Sequence, residues 1–187
     1  MSPSQALKQA CEVASKQIDM IKPGQWHVVT PNTDWDLTAL VKHMVYEVLW
    51  VPDLVEGKTV KEVGDKYDGD ILGKDAKKAW LAASQKAVAA FTDPGAMTKT
   101  VHLSYANVMG EHYCSEIASD VFIHSWDVAK AVDTNTDLDK ELAEFTYKFM
   151  QPRAAEMRQS GLFGSEVKVA NDADLQTKLL ALYGRRN

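Results

Sequence analysis

Apolar residues recur along this chain at alternating spacings of four and three, the repeat that lines one face of a helix. Leu7, Cys11, Ala14, Ile18 and Ile21 form the first such stripe and predict a helix over about residues 4–21, ended by Lys22-Pro23-Gly24. Leu37, Leu40, Val41, Met44 and Val48 predict a second over about 34–51. Thr33 would be its N-cap, Asp36 its acidic third residue, and Pro52 would help to close it. Ala76, Trp80, Ala83, Ala87 and Phe91 predict a third over about 75–91, stopped by Asp93-Pro94-Gly95. The most even stripe is Cys114, Ile117, Val121, His124, Val128 and Ala131, and it predicts a fourth helix over about 110–132. Leu138, Leu142, Phe145 and Phe149 begin a fifth, with Pro152 kinking or restarting it and Gly161 ending the segment; residues 173–183 read as a last short helix.

Residues 54–74 break the pattern. They are rich in Gly, Asp and Lys and read as a long link with room for a short turn of helix, able to cross the end of a bundle. Asp65, Asp68, Gly69 and Asp70 do not have the spacing of a calcium-binding EF-hand loop, and the solvated loop is preferred. Residues 100–105 alternate, with Val101, Leu103 and Tyr105 on one face, as in a short strand; Val167 and Val169 are a candidate partner. The expected fold is mainly α: one domain over 1–187 built on a four-helix bundle (about 4–21, 34–51, 75–91 and 110–132). To this are added the crossover link, a short strand pair and a C-terminal extension over about 138–187.

Composition narrows the function classes. With 187 residues, 45% hydrophobic and 25% charged, the chain can bury a substantial core. A net charge of -5 argues against nucleic acid and against an anionic membrane surface. The first residues lack a signal-peptide pattern and no apolar run reaches the length of a membrane span, so a cytoplasmic location is expected. Cys11 and Cys114 lie outside any CxxC, and no disulfide framework is expected. Whether the chain forms a homodimer is left open.

The chemistry concentrates on two helices. Asp120 and His124 stand four residues apart on the most apolar segment, and His43 sits near the centre of the second helix beside Leu40 and Met44. Polar groups on apolar stripes are costly unless satisfied. Two imidazoles and a carboxylate from facing bundle helices make an open metal site of catalytic type. The donor set suits zinc, nickel or iron(II) and does not by itself name the metal; zinc is the first expectation, with nickel or iron as alternatives. The i, i+4 pairs His43/Glu47 and Asp120/His124 do not have the Glu-x-x-His spacing of ferritin-like di-iron centres. The plainer reading is a helical core in which Asp120 and His124 hydrogen-bond each other. Glu47 and Glu116 are candidates for a fourth ligand or a general base, with a solvated helix face as the commoner fate of such residues.

Other candidates fall away. His112 lies roughly 18 Å from His124 along a helix, too far to share an ion, and Cys114 at about 15 Å reads as a buried thiol. His27 and His102 lie in connections. Trp35, Trp50, Trp80 and Trp126 read as core packing, and Asp127 as an ion-pair partner of Arg153 or Arg158 in preference to an acceptor behind the site. No P-loop, GxGxxG, GxSxG or HExxH motif occurs.

Thr33-Asp34-Trp35-Asp36-Leu37, followed by Leu40-Val41 and His43, resembles the opening of helix two in the mycothiol-dependent maleylpyruvate isomerase-like group of the DinB/YfiT-like superfamily. Asp120, His124 and Trp126-Asp127, with Ala129, resemble that group's second signature. Arg158, Gly161, Phe163-Gly164 and then Leu179-Leu180-Ala181 with Gly184-Arg185 resemble the ending of a compact actinobacterial-type subfamily. The likeness runs from about residue 31 to 186. It implies a DinB-like four-helix bundle and a divalent metal held by His43, Asp120 and His124. Ser125 stands where glycine is usual, and Asp120 where the isomerase type carries a glutamate; the shorter arm would pull the metal towards helix four or admit another water. The tail is shorter than the isomerase's separate thiol-holding domain requires.

The first functional expectation is therefore a metal-activated, thiol-dependent transferase or isomerase using a small thiol of the mycothiol or bacillithiol type, with a hydrolase using metal-bound water as a variant. The second is a non-catalytic module that binds a metal or small ligand. The third is a helical domain with a satisfied polar core and no metal.

Overall fold

A computed structural model of the chain describes residues 1–31, 34–155 and 167–187. The helices are α1 (Pro3–Asp19), α2 (Leu37–Val55), the single-turn α3 (Val60–Val63), α4 (Ala76–Ala90), α5 (Gly110–Ala131), α6 (Lys140–Met150) and α7 (Leu175–Leu182). Two short strands, β1 (Thr100–His102) and β2 (Asn107–Met109), form an antiparallel hairpin between α4 and α5. The fold is mainly α, as the periodicity predicts.

The bundle consists of α1, α2, α4 and α5. Its four long contacts are α1 with α5, α2 with α4, α2 with α5, and α1 with α4, which leaves α1 and α2 diagonally opposed although they are consecutive in the chain. Every member of the first stripe is buried: Leu7, Cys11, Ala14, Ile18 and Ile21. Trp80 of α4 is buried too, and its indole Nε1 donates to Ser15 Oγ of α1 at 2.9 Å, so the polar end of a large core side chain is satisfied across the interface. α6 packs on α5, α1 and α7, outside the four-helix core.

The second helix departs from expectation at both ends. Thr33 lies outside the described residues, and the observed N-cap is Asp36, whose Oδ1 accepts from Ala39 N at 2.8 Å. The Val29–Asp36 bridge, with Thr30 N donating to Trp35 O at 3.0 Å, pairs the chain on the two sides and keeps Trp35 out of the helix. At the other end Pro52 sits inside α2. Burial of Asp53, Leu54 and Val55 carries the helix one turn beyond the proline, and packing there outweighs the lost backbone hydrogen bond. The strand pairing also differs. β1 pairs with β2, not with Val167 and Val169; Val167 N donates instead to Ala181 O at 3.2 Å. A hairpin closed by Leu103 N to Ala106 O costs far less loop entropy than a pairing some sixty residues away.

α5 begins where the chain can approach its neighbour closely. A Cβ on Gly110 would lie 1.9 Å from the carbonyl oxygen of Ala96, so only glycine fits as the hairpin hands over to the helix. The link between α2 and α4 contains α3, which carries a capping box: Thr59 Oγ1 accepts from Glu62 N, and Glu62 accepts from Thr59 N. The link is fastened to α2 by Asp53. This carboxylate is 4% exposed and accepts from Lys58 Nζ at 2.5 Å, Lys66 Nζ at 2.5 Å and Tyr67 Oη at 2.6 Å.

Those three donors, Lys58 first, hold the Asp53 carboxyl well below the usual carboxylate range. A depressed folded-state pKa contributes stability that is present above the unfolded value of about 4 and is lost as pH falls below it. Asp53→Asn is expected to lower stability at pH 7 by about 1–3 kcal/mol, the worth of hydrogen bonds to a charged group. It should also flatten the acid limb of the stability profile, as followed by urea unfolding over a pH series; an unchanged acid limb would count against this fastening.

Candidate metal centre

Each site residue is placed by its helix. His43 occupies the middle of α2, and Asp120 and His124 occupy successive turns of α5, on the faces where these helices meet. The imidazole rings of His43 and His124 lie 5.0 Å apart at an interplanar angle of 79°. Asp120 reaches between them: its Oδ1 is 3.3 Å from His124 Nε2 and its Oδ2 is 3.5 Å from His43 Nε2. One ligand atom from each of the three residues can be chosen so that all lie within 4.8 Å of one another, close enough to hold one metal ion. The structure thus brings together the three residues that the sequence singles out.

The hydrogen bonding around the cluster fits a cation. His124 Nδ1 is 2.9 Å from Asp127 Oδ2. The Asp127 carboxyl is buried, which would raise its pKa, but His124 and then Arg185 hold it low; as a carboxylate it can only accept. The proton of that bond therefore belongs to His124 Nδ1, and in the neutral ring Nε2 presents its lone pair to the cluster. Asp120 Oδ2 is buried without a hydrogen-bond partner. A lone pair aimed at a carboxylate, beside a buried orphaned oxygen, is the arrangement that a shared proton or a divalent ion satisfies. Without an ion the proton serves. Burial alone would lower the pKa of His124, but Asp120 and then Asp127 carry it up to about 9, while the two histidines hold Asp120 far below the carboxylate range against its own desolvation.

Several residues outside the trio also converge here. Glu47 Oε1 is 3.9 Å from His43 Nδ1; burial, then the charge of Asp120, raises its pKa to about 7. Glu116 accepts from Tyr105 Oη at 2.5 Å and lies 3.8 Å from His112 Nε2, and burial raises its pKa. Glu116 thus leaves the solvated face on which the sequence would most readily place it, while Glu47 stays partly exposed at the edge of the cluster. His112 is not part of the trio; its ring meets Phe149. Cys11 and Cys114 are buried free thiols pushed up to about 12 by desolvation, too high for a thiolate at neutral pH. His27 pairs with Asp36, and His102 with Asn107 across the hairpin.

Two residues have roles that the sequence does not reveal. Trp35 is not core packing alone: its ring lies 4.8 Å from that of His43 and 6.0 Å from that of His124, forming a wall of the site. Asp127 does not pair with Arg153. Its partner is Arg185, with Nη2 2.8 Å from Oδ2 and Nε 3.2 Å from Oδ1, while Arg153 turns to Phe149, and Arg158 lies outside the described residues. The only signals in the sequence were the Trp35 position of the Thr-Asp-Trp-Asp start and the Gly184-Arg185 tail.

The fold has a known counterpart. The chain has the helical fold of an isomerase that depends on a small thiol. It superposes with a TM-score of 0.65 on the crystal structure of a histidine-to-alanine mutant of the mycothiol-dependent maleylpyruvate isomerase, at 14% identity, covering 88% of this chain and 72% of that one. Uncharacterized proteins from two strains of Mycobacterium tuberculosis are 28% identical over 148 residues, spanning 76% of this chain and 74% of theirs. No protein-family model matches the chain. Among the described residues, no helix is long and apolar enough to cross a membrane.

Asp127 is fully buried, and removing it would leave the Arg185 guanidinium enclosed without its counter-charge. Asp127→Ala is expected to destabilise the protein by about 3–5 kcal/mol, as breaking a buried pair does. Urea unfolding followed by circular dichroism measures this, and a change near zero would mean that the pair is not buried as described.

Proposed function

We propose that His43, Asp120 and His124 hold one divalent metal ion, zinc in the first instance, and that the protein uses it as a thiol-dependent transferase or isomerase acting on a small electrophile. The observation that carries the metal is the Asp120 carboxylate set between two imidazoles, its buried Oδ2 without a hydrogen bond, and one ring fixed so that Nε2 faces the cluster. The thiol half of the reading is supported by the fold shared with a mycothiol-dependent enzyme. A bound divalent ion would lower the pKa of a thiol or water in its open position.

The chain's own residues supply the rest. Asp127 keeps the His124 ring in one orientation, so that Nε2 faces Asp120 and would be available to a metal ion there. Trp35 covers the imidazoles and limits water at the reacting centre. Glu47, with a pKa near 7, is suited to take a proton at its carboxylate oxygen and return it, as a general base whose pKa matches the working pH. Glu116, carrying the Tyr105 hydrogen bond, is the second carboxylate in line. The small thiol would be of the mycothiol or bacillithiol class.

The test uses protein purified without a nickel column. Wild type is expected to take up one equivalent of zinc. His43→Ala and Asp120→Asn should each weaken binding by more than the roughly 10–100-fold that outer-shell changes cost. Zinc-loaded protein incubated with mycothiol or bacillithiol and a panel of electrophiles should consume thiol, and His43→Ala should not. Stoichiometric zinc with no thiol consumption would leave a binding module in place of an enzyme. No zinc in the wild type would overturn the metal reading.

A further inference from the structure

We propose that Arg185 is a positioning residue for the metal centre: its guanidinium fixes the Asp127 carboxylate, which in turn fixes the orientation of the His124 ring. The inference rests on the metal reading of His43, Asp120 and His124. It starts at the end of α7, where Gly184 adopts a φ of +78° and its N–H bonds to Ala181 O at 3.0 Å, while Arg185 N bonds back to Leu180 O at 2.8 Å. This left-handed helix stop reverses the chain and aims the next side chain at α5. Arg185 spends its donors within a single setting. Nη2 reaches Asp127 Oδ2 at 2.8 Å, Nε reaches Oδ1 at 3.2 Å, and Nη1 reaches Tyr183 O at 2.7 Å.

The geometry determines the role. A two-pronged guanidinium sets the plane of a carboxylate as well as its position, which the single ammonium of lysine does not. Asp127 Oδ2 is shared: it accepts from Arg185 Nη2 and from His124 Nδ1 at 2.9 Å. The carboxylate plane therefore dictates where the imidazole N–H must point, and so where Nε2 points on the opposite edge of the ring. Arg185 is fifty-eight positions from Asp127 in the chain and touches none of the three candidate ligands within hydrogen-bond distance, so it acts on the site through Asp127. The segment that closes α7 thereby becomes part of the support of the metal centre.

Full-length Arg185→Met and Arg185→Lys, alone and combined with Asp127→Asn, test this with zinc competition titrations and with ¹⁵N–¹H spectra of the histidine rings. The expected result is a 10–100-fold loss of zinc affinity in Arg185→Met, the range seen when outer-shell partners are removed. Arg185→Lys should fall between it and wild type. Adding Asp127→Asn to either variant should cost much less than it does in wild type, because both changes break one relay. In zinc-free protein the slowly exchanging His124 Nδ1–H signal should be present in wild type and lost in Arg185→Met, which no general loosening of the fold would single out among the histidines. Should Arg185→Met fail to fold, the lysine variant decides by the same two readouts. Folded arginine variants with wild-type zinc affinity and an intact Nδ1–H signal would overturn the proposal. So would losses that add in full to that of Asp127→Asn. If wild type itself binds no zinc, the metal reading fails, and the Nδ1–H signal still decides whether Arg185 positions the ring.

Discussion

A carboxylate and two imidazoles enclosed between α2 and α5 are the constraint around which the rest of this protein is arranged. Such groups are costly in an apolar interior unless each polar atom finds a partner. Here the partners are mutual, with Asp120 between His43 and His124, and the arrangement is incomplete, because Asp120 Oδ2 has only the 3.5 Å contact with His43 Nε2 and no hydrogen bond. A fold selected for stability alone would do better with a leucine at each position. The bundle carries these groups instead, and it adds further ionisable side chains, Glu47 and Glu116, in the same region with pKa values raised by burial. Perturbed carboxyls beside a ligand-like trio support the reading of this region as a functional site.

The surroundings hold the trio in place. The extended turn before α2 sets Trp35 against both imidazoles, and its hand-over into the helix is fixed by the Asp36 cap. One turn along α5 from His124, Asp127 forms a buried pair with Arg185 and its shared oxygen orients His124. Gly110 allows the hairpin to pass close to the start of α5, and Asp53 fastens the long link to the end of α2.

The bundle and its trio were legible in the sequence because both obey a local rule. Four–three spacing reports which face of a helix is buried, and a histidine or aspartate on such a face is conspicuous against its apolar neighbours. What escaped depends on contacts distant in sequence. Nothing near Asp127 indicates that its partner is Arg185, and a tryptophan one residue ahead of a helix cap looks like any core aromatic until the turn folds it back on His43. The start of α2 shifted because Asp36, which the capping-box pattern places at the third helical position, itself caps the helix, and the bridge at Val29 holds the chain before it outside the helix. Its end shifted because the packing of Leu54 and Val55 overrode the proline. The strand partner was misjudged for a related reason: alternation marks a strand but does not say which segment will lie beside it.

The central claim is that one ion is bound by two imidazole nitrogens and one carboxylate oxygen, with no sulfur from the chain. X-ray absorption at the zinc edge, on protein loaded with one equivalent and free of added thiol, measures this coordination shell directly. The predicted shell holds two histidine nitrogens at about 2.0–2.1 Å and carboxylate and water oxygens at about 2.0–2.2 Å. A sulfur scatterer at about 2.3 Å, or a shell without the multiple-scattering pattern of imidazole, would contradict the account.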